Sequence, residues 1–340
     1  MVVHPFYIFI PRKFWPESLP TSPDENWPGF GLGMYTWTIQ TYLRLKAITF
    51  PCQLVHELPE EGIILVDHNH LRTTHLRPSQ RQFIVCLKQD GLHYPYAQYH
   101  VVQNFQDAQT RAQYHYIPHW PQPGLIQRSP ARGGRFENIT FFGHRINLAP
   151  ELQQPAWLQA LADLELNWCS IANQNHWSEY KTLNSGWNDY SQVDAIVAVR
   201  AFGKHQRFLH KPATKLYNAW LARVPAILGY ESAFRSEGNP GFNYLEVASP
   251  EALLQALKTL KQDLSLRQKL VAQGWQEGQK FTAYKTVHRW RTFLEKVAFP
   301  AFEDWCRMPR SLQVATLEMN WLSHKFVRGT ARLSRLLSTS

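Results

Sequence analysis

The stretch "KPATKLYNAWLARVPAILGYESAFRSEG", residues 211–238, sets two lysines around a proline, then an apolar run of helical spacing. Pro225 follows, then Ala226-Ile227-Leu228, a short buried-strand run, and then Glu231. In an open α/β sheet, ligands bind beyond the C-terminal ends of the strands, and a helix N-terminus there favours anions through its free N–H groups. Arg200 closes the preceding apolar run, Val193 to Arg200. Lys211 and Lys215 sit just before or within the first turn of the next helix, so the three cations suit a diphosphate. The bland alternative is a set of solvated cations that merely start a helix.

Upstream, the chain reads as two α/β series. Phe6–Ile10 is a short strand run, followed by a proline-rich loop and Gly29-Phe30-Gly31-Leu32-Gly33 opening a helix. Strand, glycine loop and helix form the first unit of a nucleotide-binding α/β domain. Gln53–Val55, Gly62–Asp67, Gln82–Leu87 and Tyr99–Gln103 continue the strands of a mostly parallel sheet. The text then changes to YIPHWPQPGLIQRSPARGG, residues 116–134, a surface linker rich in proline and glycine. A second series starts with Asn138–Gly143. The expected division is an N-terminal domain over 1–116, a linker over 117–136, a second domain over 137–290 and C-terminal helices over 291–340. Ser249 as N-cap and Pro250 at the first helical position open a long helix, with leucines 253, 254, 257, 260 and 264 on one stripe.

The chain has 340 residues, 44% apolar and 18% charged, enough for two packed cores. Four dispersed cysteines fit a reducing cytosol and no zinc knuckle. No run of about 18 apolar residues is present to cross a bilayer. The net charge of +10 is spread rather than blocked, and with no nucleic-acid-binding fingerprint it argues against nucleic acid as a partner. It is densest in the tail from 307 onward, six cations against Glu318. There Leu312, Leu317, Trp321, Phe326 and Leu333 fall along one helical stripe. Such a tail would either dock on an anionic membrane surface or cross back onto the N-terminal domain.

The run over 211–227 resembles the donor-binding segment of the GT-B glycosyltransferases, "P-x-K-L-x-E-A-x-A-x-G-x-P-V-I". Pro212, Lys215, Leu216, Ala219, Pro225 and Ile227 fall on matching positions. Asn218 stands where the large retaining branch usually has glutamate, and Arg223 where glycine is usual. Tyr116-Ile-Pro-His119 looks like the crossover segment of that superfamily, Phe141-Phe-Gly143-His-Arg145 like the opening of its second domain, and residues 30–38 like its glycine-rich loop. The HWPQPGLI text, residues 119–126, is similar to that of uncharacterised cyanobacterial glycosyltransferase-like proteins. The resemblance implies two Rossmann-like domains facing across a cleft. It implies a nucleotide-diphosphate sugar as donor substrate, no permanently bound cofactor, and a glycan, lipid or small-molecule acceptor. Lys215 and Arg145 would meet the diphosphate, Glu231 the donor sugar or its phosphates, and Gly31 and Gly33 would let the backbone approach the donor.

"VDHNHLRTTH", residues 66–75, follows a strand, so Asp67 or His68 would suit a general base for the acceptor hydroxyl. The spacing of His68, His70 and His75 matches no metal-ligand set, and Asp24, Asp67 and Asp90 form no D-x-D pair; no metal is expected. The alternative function is a non-catalytic nucleotide-sugar-binding or membrane-surface protein of the same architecture, which would keep Lys215 and need no base.

Overall fold

The computed structural model describes residues 4–173, 186–204 and 208–337, apart from the side chains of residue 173 and of 327–337. Among them, two wholly parallel sheets form. Strands β1 (Phe6–Phe9), β2 (Gln53–Val55), β3 (Gly62–Asp67), β4 (Gln82–Leu87), β5 (Tyr99–Val102) and β6 (Tyr114–Tyr116) run in the order β2-β1-β3-β4-β5-β6. Strands β7 (Asn138–His144), β8 (Asn167–Asn173), β9 (Ala195–Ala198), β10 (Ala226–Leu228) and β11 (Leu245–Glu246) run in the order β11-β10-β9-β7-β8. β3, β4 and β10 are buried at every residue, the pattern of strands covered on both faces rather than alternating.

In each sheet the chain leaves its first strand to one side and returns on the other. The reversal falls between β1 and β3 in the first sheet and between β7 and β9 in the second. Such switch points leave a crevice at the C-terminal strand ends.

Helices α1 (Gly33–Ala47), α2 (His68–Thr74) and α3 (Phe105–Ala108) belong to the first series, and α4 (Pro155–Asp163), α5 (Thr214–Ala222), α6 (Ser232–Glu237), α7 (Pro250–Gln262) and α8 (Leu264–Gly278) to the second. α5 is the helix expected after Lys211, and its apolar back is fixed by Trp220, whose indole N–H donates to Asn243 O at 2.8 Å. Ser249 caps α7 as expected, accepting from Ala252 N at 3.1 Å. The leucine stripe, however, ends at Leu260. Asp263 breaks the helix and caps α8, accepting from Leu266 N at 2.8 Å, and Leu264 is exposed.

Helices α9 (Ala283–Phe293), α10 (Phe299–Arg307) and α11 (Arg310–Leu337) return to the first sheet: Val287, Trp290, Phe293, Phe302, Trp305 and Leu317 are buried in its core. The expected single stripe of the tail splits. Leu317 and Trp321 pack on that core, and Gln313 donates to Trp305 O at 2.7 Å and Gln80 O at 3.1 Å. Leu312 and Phe326 face solvent, while the side chain of Leu333 lies outside the described residues. No described helix is long and apolar enough to cross a membrane.

Deleting 310–340 uncovers Leu317 and Trp321, worth about 2 kcal/mol at least. The truncated chain is expected to melt about 3 °C lower or more. An unchanged melting temperature, with loss of binding to anionic vesicles, would assign the tail to a membrane surface instead.

Candidate functional site

Residues from both sheets converge on a cleft of about 240 Å³. The first sheet contributes Gln89 and Asp90 after β4 and Gln103 after β5, and the crossover contributes His119 and Trp120. Gly31 comes from the turn before α1, and Gly33 and Trp37 from its start. The second sheet contributes Gly143 at the end of β7, Arg200 after β9, and Lys211, Lys215 and Asn218 around the start of α5. The strand-end crevices of the two sheets therefore face each other.

Lys215 is the second residue of α5 and half-buried. Its ammonium lies 5.6 Å from the Phe141 ring centroid and makes no hydrogen bond or ion pair with any described residue. Burial, then Arg200, push its pKa down to about 7; Glu231 opposes this. Gly143 makes room for it. Its φ is +144°, and a Cβ there would fall 3.1 Å from Lys215 Nζ. A side chain at 143 would be strained and would crowd the ammonium.

The other cations have partners. Arg200 forms an ion pair with Glu231 at 3.0 Å, and both are almost fully buried. Glu231 thus stands behind the cleft wall and orients Arg200, instead of lining the cleft. Lys211 forms an ion pair with Asp90 of the opposite wall. Next to it, Gln103 donates to His210 O at 2.8 Å, and Asn104 donates to Lys211 O at 3.2 Å and Ser232 Oγ at 2.9 Å, tying the two sheets together. Arg145 lies apart, donating to Gln153 Oε1 at 2.7 Å in an exposed position.

Asn218, at the position of the usual glutamate, accepts from Gln122 N at 3.0 Å and so pins the crossover to α5. Arg223, at the position of the usual glycine, closes α5 in the left-handed region with φ 61°. That conformation favours glycine. Here the guanidinium sits 4.1 Å over the Trp275 ring, a cation–π contact that helps offset the strain.

Asp67 and His68 end up beneath the cleft surface. Asp67 is fully buried, caps α2 by accepting from Asn69 N at 2.8 Å, and accepts from the Gln89 amide. Burial pushes its pKa up to about 7. Gln89 stands between it and the cleft, and Gly33 lets Gln89 do so: a Cβ at 33 would fall 2.4 Å from Gln89 Oε1. His68 is buried against Gly91, and burial, then Arg72 and Lys88, hold its pKa near 4. Among the described residues no group of three histidine, cysteine or acidic side chains is placed to hold a metal ion.

Sequence reading passed over the polar groups of the near wall. In the sequence Asp90 is only an acid without a D-x-D partner, Gln89 carries no motif, and Gln103 and His119 only close a strand run and the crossover segment. His119 lines the cleft with its Nδ1 2.8 Å from Trp120 O, and burial lowers its pKa to about 4, so its ring is neutral at pH 7. Donation from Nδ1 leaves Nε2 as an acceptor. The only local signal was position, since each of these residues follows a strand's C-terminal end.

No protein-family model matches the chain, and none of the curated proteins does. Solved structures do. HepE of Anabaena in complex with UDP and glucose is 12% identical, with a TM-score of 0.51 over 86% of this chain and 100% of that one. Sucrose-phosphate synthase from Thermosynechococcus elongatus is 12% identical, covering 70% of this chain and 74% of that one with a TM-score of 0.47. The pneumococcal O-GlcNAc transferase GtfA in complex with UDP and GlcNAc is 14% identical, covering 77% and 60% with a TM-score of 0.44. The two facing parallel sheets are the GT-B fold.

Proposed function

We propose that this chain of GT-B fold is a glycosyltransferase that moves a sugar from a nucleotide-diphosphate donor to a hydroxyl acceptor, without a metal ion. The observation that carries this is Lys215: an amine lining the cleft with no hydrogen-bond or ion-pair partner among the described residues, beside Arg200, at the start of a helix. An anion is what such a group lacks. HepE, of like fold, was solved with UDP and glucose, which makes UDP the first nucleotide to try.

In the transfer, the acceptor oxygen bonds to the anomeric carbon as the bond from that carbon to the diphosphate breaks. The acceptor's proton passes to a base, and the diphosphate leaves with the bonding pair. Lys215, Lys211 and the N-terminus of α5 take up the leaving charge, with Arg200 held in place by Glu231. Preorganised charge of this kind is the largest single term in many enzymes. On the other wall, Asp90 is the carboxylate that lines the cleft and is our choice of base; Asp67 acts behind it, holding Gln89 in position. Arg145 belongs to this scheme only if the Gln153 contact opens. The cleft volume of about 240 Å³ falls below the range of about 300–1,000 Å³ usual for ligand sites, so donor entry parts the Lys211–Asp90 ion pair and separates the walls.

Thermal shift against UDP, GDP and ADP is the test. At 100 times Kd a ligand of the folded state adds about 2.7 kcal/mol and raises the midpoint by ~4 °C. The shift is expected to persist in EDTA. No shift with any of the three removes the donor reading, and a shift abolished by EDTA removes metal independence.

A further inference from the structure

A second cavity, of about 820 Å³, opens between the edge strand β6 and helix α9. It shares no lining residue with the cleft. The crossover runs past both, with Tyr116 and Ile117 on this cavity and His119 and Trp120 on the cleft.

Its lining divides by chemistry. The floor is apolar: Ile117 and Phe293 are buried core residues, and Tyr114 and Val297 lie with them. His115 is also there, and its Nε2 is buried without a hydrogen-bond partner. The rim carries Lys280, Lys285, His288 and Arg289, with no acidic residue among the lining. The nearby carboxylates are engaged: Glu277 pairs with Lys280 at 2.5 Å, and Glu237 accepts from the Tyr116 hydroxyl. Lys285 forms no ion pair with a described residue. Arg289 donates to Lys280 O at 3.2 Å and lies 5.5 Å over the Phe281 ring.

Each simple occupant satisfies half of this. A small inorganic anion would leave the apolar floor wet, and a neutral hydrocarbon would leave Lys285 and Arg289 without an ion-pair partner among the described residues. A chain of apolar groups ending in an anion satisfies both. We propose that this cavity is a binding site for an anionic amphiphile, an apolar chain ending in a phosphate or carboxylate. The chain lies on Ile117, Phe293 and Val297, and the head meets Lys285, His288 and Arg289. The site does not depend on what binds in the cleft, so its test needs no nucleotide.

Dodecyl phosphate below its micelle concentration is titrated into the full chain by calorimetry, beside dodecyl maltoside and inorganic phosphate. One saturable site is expected for dodecyl phosphate, with the two controls weaker by about tenfold or more. Lys285→Glu and Arg289→Glu, whose side chains reach solvent and whose melting temperatures serve as the check on folding, are expected to weaken it by at least about tenfold. Vesicles containing anionic phospholipid locate the source. Capture of the parent chain but not of Arg289→Glu places the amphiphile in a bilayer; no capture, with dodecyl phosphate binding intact, places it free in solution. Absence of a saturable site, equal binding of dodecyl maltoside or of inorganic phosphate, or unchanged dodecyl phosphate affinity in both folded variants would overturn the proposal.

Discussion

Lys215→Ala is expected to weaken UDP binding by about 10- to 150-fold, the ~1.5–3 kcal/mol of a charge-assisted hydrogen bond to a phosphate. The fold should not suffer. Burial and Arg200 hold the Lys215 pKa at about 7, well below its ordinary value, so the charged ammonium is disfavoured in the folded free protein. The sign follows: the unfolded chain binds more protons between pH 7 and the ordinary lysine range, so Lys215 makes stability rise with pH across that window. Removing it removes that slope, and the variant is expected to melt at or above the parent at pH 7. Calorimetry and a melting curve on the same sample check both. A variant that binds UDP as tightly as the parent ends the phosphate role, and one that melts lower shows that Lys215 is a structural residue.

The largest stability effect is expected at Asp194. This carboxylate is fully buried at the start of β9 and is met on every side. Arg132 donates to it at 2.6 and 2.8 Å, Arg128 at 2.8 and 3.0 Å, and the backbone N–H groups of Glu137 and Asn138 at 2.9 and 3.0 Å. Burial alone would raise its pKa; the hydrogen bonds from Arg132, Asn138, Glu137 and Arg128 outweigh it and hold the group below the ordinary carboxylate range. The clamp fastens the end of the crossover to the second sheet at the entry to β7. Asp194→Ala leaves a buried guanidinium and two backbone donors without their acceptor, a loss of about 3–5 kcal/mol. Against total stabilities of about 5–15 kcal/mol, this is a large fraction. Urea unfolding should show the midpoint fall with the slope unchanged; a loss below about 1 kcal/mol would mean that the clamp is dispensable.

The parts of this fold that were legible in the sequence are those fixed by local pattern. β3, β4 and β10 are unbroken apolar runs bounded by turns, and each was read at its observed bounds. The start of α5 was legible because Pro212, Lys215 and Pro225 frame it, and the cap of α7 because Ser249-Pro250 has one meaning. Pairings across long sequence separations were not. Asp90 meets Lys211 because the two sheets close on each other, and Arg200 meets Glu231 because the ends of the paired strands β9 and β10 lie side by side; no local periodicity encodes either contact. The same holds for Asp67: a strand buried on both faces gives no sign of which end group stays in the cleft and which is turned under by the next helix. Arg145 has a phosphate role only through the resemblance of Phe141–Arg145 to the opening of the second GT-B domain, and here the one-turn helix over Arg145–Asn147 carries it to an exposed position. At Leu264 the apolar stripe ran on in sequence while Asp263, a good N-cap, had already ended the helix.

In the proposed function the cleft holds a diphosphate on Lys215, whose pKa burial and Arg200 pull down to about 7, and the affinity for UDP as a function of pH tests this most directly. Below pH 7, Lys215 is charged before UDP arrives. Above it, binding must take up a proton, because a bound diphosphate raises the lysine's pKa. Calorimetry from pH 7 to pH 9 is predicted to show the affinity of the parent chain falling by up to about tenfold per pH unit, with proton uptake on binding and a flatter profile in Lys215→Ala. UDP affinity that stays constant over that range, or falls equally in parent and variant, would contradict the account.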